Sequence, residues 1–157
     1  MVALDSDEQL LTKITECLDG LWNISESDSP VFAVSVSDDE TGEISLETVA
    51  SLFQPSWDEH SQSLAGGTRV CDEDSTPLDQ QQSESFDAVE FFAQRSFVHD
   101  DSMRENYDKW GKLGQVIQSN LDKLVGYRFG STEVTYCIAG RSPTGRILGV
   151  FTGSVET

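Results

Sequence analysis

The sequence predicts an α+β domain built around an antiparallel sheet, and three observations carry that prediction. Apolar residues recur at helical spacing near the start and again beyond residue 103, whereas the last third alternates in the two-residue period of strands. An earlier alternating stretch around residue 32 offers these C-terminal strands something to pair with, so helices and sheet should pack as layers. At 157 residues and 37% hydrophobic, the chain is sized for one ordinary core, and residues 1–157 are expected to form a single domain.

The first helix rests on Leu10, Leu11, Ile14, Cys17 and Leu18, with Ser6 and Gln9 resembling a capping box and Gly20 as a stop. A polar turn from Ser25 to Pro30 follows Trp22, and then Phe32, Val34 and Val36 alternate with Ala33, Ser35 and Ser37 as in a half-buried strand. The acidic stretch Asp38, Asp39, Glu40 ends that strand. Leu46, Val49, Ala50 and Phe53 predict a short helix over residues 45–53. Residues 54–83, rich in Gln, Ser, Asp and Gly, read as a long polar loop, with a brief strand at Arg69, Val70 and Cys71 as its one regular piece.

Order resumes at Ser85, read as an N-cap for a helix carrying Phe86, Val89, Glu90 and Phe92. Trp110, Leu113, Ile117, Leu121 and Leu124 then predict a long helix, within which Gly114 costs about 1 kcal/mol relative to Ala and marks a close approach to another element. Residues 133–139, the turn at Arg141 to Gly145, and residues 147–151 predict an antiparallel hairpin. Trp22, Phe32, Trp110, Tyr136 and Phe151 occupy core-facing positions. Trp57 and Phe97 stand among polar residues, which makes them candidate interface anchors.

Charge is the loudest compositional signal. The formal net charge is −18, and it is lopsided: residues 1–100 carry 22 acidic against 3 basic side chains, and residues 101–157 carry 6 against 7. Such a field repels nucleic acid and acidic membranes and speeds encounter with a basic protein. Its plainer reading is solubility or salt adaptation, although adaptation to salt should affect the whole surface. Cys17, Cys71 and Cys137 lie far apart without paired spacing, which fits idle thiols better than disulfides or a zinc site. No stretch approaches the length of a membrane span, and the N-terminus lacks a secretory pattern, so a soluble, cytoplasmic protein is expected.

The familiar catalytic signatures are missing: no nucleophile elbow, no phosphate loop, no zinc-protease His pair. His60 and His99 stand beside carboxylates, where a general base or metal ligand is conceivable and an exposed histidine is the commoner case. The acidic groups at residues 38–40 and 72–74 suit a hard cation by chemistry, yet lack the spacing of a calcium loop. An enzyme is therefore not expected, and no cofactor is.

Several short strings carry a family resemblance. Asp19, Gly20 and Leu21; Ser25, Glu26 and Ser27; Phe91 and Phe92; Tyr127 to Gly130; Tyr136 to Gly140; Pro143 to Gly145; Leu148 and Gly149; and the ending Ser154, Val155, Glu156, Thr157 together resemble the nuclease A inhibitor family. The likeness covers the first 30 or so residues, the long helix and everything after it, and is weakest over residues 54–83.

The resemblance implies a three-layer α-β-α sandwich like that of the pathogenesis-related plant proteins. It also implies inhibition of a sugar-non-specific, Mg-dependent endonuclease of the ββα-metal type by a monomer in a 1:1 complex, with no direct contact to nucleic acid. By that likeness Thr157, with Glu156 before it, would enter the nuclease active site and coordinate the partner's magnesium, and Glu26 would pair with an active-site arginine. Both roles suit the chemistry, because magnesium prefers oxygen ligands and a carboxylate accepts two parallel bonds from a guanidinium as a phosphate does. The family's Gln-Asp-Trp contact stretch is replaced here by Phe97, Val98, His99, Asp100 and Asp101, so Phe97, His99 and Asp100 become the contact candidates, with Phe97 in the tryptophan's place. That replacement and the longer middle segment also motivate the alternative, an acidic interaction module of the same fold whose partner is not a nuclease.

Overall fold

A computed structural model describes residues 6–23, 29–36, 44–60, 77–97, 101–130, 133–143 and 145–155. Helix α1 (Ser6–Leu18) places Leu10, Ile14 and Cys17 on one buried face and ends where Gly20 takes a left-handed φ of 73°, which lets Leu21 N–H close on Leu18 C=O at 3.0 Å. Two strands follow, β1 (Trp22–Asn23) and β2 (Ser29–Val36), then helix α2 (Leu46–His60). A 3₁₀ turn at Leu78–Gln80 leads to β3 (Ser83–Phe86) and helix α3 (Ala88–Ser96). A second 3₁₀ turn, Asp101–Met103, opens helix α4 (Arg104–Asn120), and the chain finishes with β4 (Asp122–Phe129), β5 (Glu133–Arg141) and β6 (Ile147–Val155).

The six strands form one sheet, in the order β1-β2-β6-β5-β4-β3, with every neighbouring pair antiparallel. Both faces are covered. Leu10 and Ile14 of α1, Phe91 and Phe92 of α3, and Trp110, Leu113 and Ile117 of α4 bury one face against Val31, Ile138, Leu148 and Val150. Val49, Ala50, Phe53 and Trp57 of α2, joined by Leu78, bury the other against Val34, Cys137, Ala139, Ile147 and Phe151. Successive strand residues point to opposite faces, so residues 147 and 151 of β6 serve one core and residues 148 and 150 the other. The expected α+β class with helices on both faces of an antiparallel sheet is what the chain adopts.

Four expectations need correction. The polar loop over residues 54–83 begins too early, because α2 continues through Pro55 to His60, and it ends late, because Leu78 is buried and Ser83 already starts β3. Phe53 and Trp57 stand one helical turn apart and bury together, while Gln54 accepts from Leu78 N–H at 2.8 Å and donates to Asp58 at 2.7 Å, so polar residues brace the helix. The brief strand expected at Arg69, Val70 and Cys71 lies outside the described residues, as do the acidic groups at residues 38–40 and 72–74.

The cap expected at Ser85 belongs to Asp87, whose carboxylate accepts from Glu90 N–H at 3.1 Å, and Phe86 is a strand residue. The long helix stops at Asn120: Leu121 is extended, and Leu124 lies on β4. Helical spacing extends too far here because Lys123 adopts a φ of 57° at an irregularity in the β4–β5 register, which brings Leu124 back to the core that Leu121 faces. Finally, Trp22 and Trp57 exchange roles, Trp57 being 2% exposed and Trp22 45%.

Two other parts of the sequence reading agree with the structure. A Cβ on Gly114 would sit 2.8 Å from Phe92 Cβ, so glycine is what lets α3 and α4 approach. The C-terminal hairpin is β5 and β6, in register from Arg141↔Ile147 to Glu133↔Val155. Among the described residues no helix is long and apolar enough to cross a membrane.

Candidate functional site

Antiparallel register decides which segments meet at each end of the sheet. Val31 of β2 pairs with Thr152 of β6, Glu133 of β5 with Val155, and Ser83 of β3 with Phe129 of β4. The start of β2, the start of β5 and the end of β6 therefore share one end. Asn23 and Ser29 pair with each other, so residues 24–28 connect two adjacent strand ends there. Residues 156 and 157 continue from the neighbouring strand.

Polar side chains hold this end together because β1, only two residues long, has little ladder of its own. Asn23 is 1% exposed; its Nδ2 donates to Gly153 C=O at 2.7 Å, and its Oδ1 accepts from Arg95 Nε at 3.0 Å. Ser29 Oγ accepts from Gly153 N–H at 3.1 Å, so side chains of β1 and β2 between them grip both backbone polar groups of Gly153 on β6. Thr152 Oγ1 adds a bond to Pro30 C=O at 2.8 Å. Burying such groups is tolerable only because they are paired, and leaving one unmatched would cost about 1–3 kcal/mol.

Helices fix the same corner from one side. The Arg95 guanidinium lies 3.6 Å over the Phe91 ring and 5.4 Å from that of Tyr136, which orients the side chain toward Asn23. Asn106 of α4 accepts from Trp22 N–H at 2.9 Å and donates to Trp22 C=O at 3.0 Å, and Trp110 Nε1 donates to the same carbonyl at 2.9 Å. With its backbone held, Trp22 presents its ring partly to solvent. Phe97, two residues after Arg95 at the C-terminal end of α3, is 66% exposed.

Of the residues singled out from the sequence, Phe97 falls within the described structure as an exposed aromatic. Glu26, His99, Asp100, Glu156 and Thr157 lie outside the described residues. What the structure places is their flanks: Asn23 and Ser29 on either side of residue 26, Arg95 and Phe97 before residue 99, and Gly153 before residue 157. Direct bonds join the first flank to each of the others. Sequence reasoning misses Asn23, Ser29 and Arg95. Asn23 carries a faint signal, an amide among apolar neighbours at a strand position that asparagine disfavours.

Trp57, the other expected anchor, is instead a core residue, with its Nε1 donating to Thr135 Oγ1 at 3.0 Å. His60 is stacked on Phe32, ring centroids 4.2 Å apart and planes 12° from parallel, with Glu59 3.8 Å away. Among the described residues no three His, Cys, Asp or Glu side chains converge as a metal site requires. Cys17 and Cys137 are free and buried. Burial raises both thiol pKa values, with Lys112 partly opposing the effect at Cys17, so neither is an activated nucleophile.

A family model described as nuclease A inhibitor-like protein matches residues 8–157 of the chain. No curated protein matches it.

Proposed function

Since the chain belongs to the nuclease A inhibitor-like family, we propose that it inhibits a sugar-non-specific, Mg-dependent endonuclease of the ββα-metal type by occupying its active site. The observation that best supports this reading is the corner tied by Asn23, Ser29, Arg95 and Gly153, from which all three candidate contact segments lead. An inhibitor that matches a phosphate-binding cleft needs several ligands at once, held in relation to one another before binding, since ordering them afterwards would cost affinity.

In this reading Glu26 offers a carboxylate to an active-site arginine, in two parallel charge-assisted bonds. Thr157 reaches the nuclease's magnesium, with Glu156 beside it as a further partner contact, and threonine oxygens take the place of a phosphate oxygen or bound water. The metal is the partner's, and this chain contributes ligands to it without a bond that the nuclease could cut. Phe97, His99 and Asp100 form the outer contacts, and Phe97 supplies apolar area. The excess of 19 negative charges over residues 1–100, 22 acidic less 3 basic, steers the protein to a surface built to bind nucleic acid. Residues 1–157 act as one domain, as a monomer in a 1:1 cytoplasmic complex.

The test is a titration of a purified magnesium-dependent non-specific nuclease with the intact chain and with a chain lacking Thr157. Stoichiometric inhibition by the first and loss of inhibition by the second are expected, with equal thermal stability. Inhibition that survives removal of Thr157 rejects the plug. Inhibition by neither chain rejects the nuclease as partner and favours an acidic interaction module directed at another basic protein.

A further inference from the structure

We propose that Asn23 is a positioning residue for the C-terminal segment, an inference that rests on the inhibitory reading above: its carboxamide sets the course of the end of β6, from which residues 156 and 157 follow. Among the described residues, Gly153 is the last point at which β6 is held by side chains of the β1–β2 pair, and Asn23 holds its carbonyl while Ser29 holds its N–H. β6 runs on from Gly153 to Val155 in register with β5, so a shift of the strand at Gly153 passes along that ladder to the two residues that follow it.

The side chain at position 23 has to donate to one group and accept from another. Its Nδ2 meets the Gly153 carbonyl at 2.7 Å and its Oδ1 meets Arg95 Nε at 3.0 Å. A carboxamide does both in opposite directions, whereas a carboxylate would face the Gly153 carbonyl with a second acceptor and an apolar side chain would satisfy neither group. Arg95 keeps the amide from turning over, because its guanidinium lies against Phe91 and presents a donor from one direction. The backbone beneath Asn23 is held as well, through the bonds from Asn106 and Trp110 to Trp22. Asn23 therefore connects the strand end at Gly153 to the helix end at Arg95, 130 and 72 residues away in the chain.

The experiment compares Asn23→Ala, Asn23→Asp and Arg95→Lys with the parent chain, each with and without Thr157. Its readouts are the inhibition constant and the amide exchange rates of residues 153–155 in the free protein. Losing the two bonds of Asn23 should weaken inhibition by about tenfold in the intact chain and by about twofold or less once Thr157 is gone. Arg95→Lys should fall between Asn23→Ala and the parent, and exchange at residues 153–155 should quicken in all three variants.

An equal fold-loss with and without Thr157 would show that Asn23 supports only the fold and would overturn the proposal. Should Asn23→Ala fail to fold, Asn23→Asp and Arg95→Lys give the same comparison. If the intact chain inhibits no nuclease, the inhibitory reading falls. Exchange then judges the Asn23 clamp alone, and unchanged rates at residues 153–155 would reject it too.

Discussion

The two ends of the sheet are both tied by polar bonds, but over very different lengths of chain. At the β5–β6 turn, Arg141 Nη1 donates to Gly145 C=O at 3.0 Å, Ser142 N–H to Arg146 C=O at 2.8 Å, and Arg146 N–H to Ser142 Oγ at 3.2 Å, all within five residues of sequence. One longer bond, Arg146 Nε to Ser35 Oγ at 2.7 Å, ties that turn to β2. At the opposite end the bonds from Asn23 and Ser29 span 130, 72 and 124 residues. Local bonds can form as soon as the hairpin does, whereas the long-range ones require the chain-closure entropy of the whole fold to be overcome first. The hairpin end thus closes a turn, and the other end assembles separate segments into one surface.

The largest predicted effect strikes the strand that the two ends share. A Cβ on Gly149 would collide with the Ile138 carbonyl oxygen, backbone that cannot rotate away. Gly149→Ala should therefore lower stability by about 3 kcal/mol or more, read by chemical denaturation, with inhibition falling only as the folded population falls. A stability change below about 1 kcal/mol would mean that β5 and β6 can slide past one another. Next comes Glu26→Ala, which should weaken inhibition about a hundredfold, as truncation of a charge partner at an interface does, while the unfolding midpoint stays that of the parent chain. An unchanged inhibition constant would remove residue 26 from the contact surface and with it the functional contrast between the ends.

Legibility in the sequence follows the same division. The hairpin end can be read almost residue by residue, because alternation and a Pro-Gly turn are local signals. Helical spacing locates α1 and α4, and Gly114, an unfavourable residue inside a helical pattern, points to the close approach that Phe92 makes. Errors arise where tertiary context outweighs local pattern. Trp57 looks solvent-facing in a Gln- and Ser-rich stretch until α2 extends far enough to bury it and give its indole Thr135. Trp22 looks like core until its backbone is used up by Asn106 and Trp110 on an edge strand. The Asn23 corner leaves only a faint trace, an amide among apolar neighbours, since its partners are identified only by register across the complete sheet. Glu26 and Thr157 rest on resemblance, not on pattern.

A smaller effect tests the hairpin end from its own side. Arg146→Ala removes the bond to Ser35, a long-range polar tie of that turn, from a half-buried position. A loss of about 1 kcal/mol in denaturation is expected, with no change in inhibition. If inhibition weakened as well, the two ends would be coupled through β6, and the contact surface would extend beyond the corner described.

The smallest effect uses Cys137 as a reporter between the ends. Its thiol lies in the middle of β5 opposite Phe151, is 1% exposed, and has its pKa raised by burial. The folded chain therefore retains this proton when the unfolded chain has begun to release it. Stability from this group is complete below the ordinary thiol range and declines as pH rises through it, by less than about 1 kcal/mol at pH 9. Cys137→Ala should flatten that part of the alkaline stability profile; an unaltered slope would mean that the thiol ionises in the folded state. Because the thiolate is the species that alkylates, labelling of Cys137 at neutral pH requires the sheet to open. Asn23→Ala should leave that rate near the parent's and Gly149→Ala should raise it, which separates loosening at the corner from opening of the sheet.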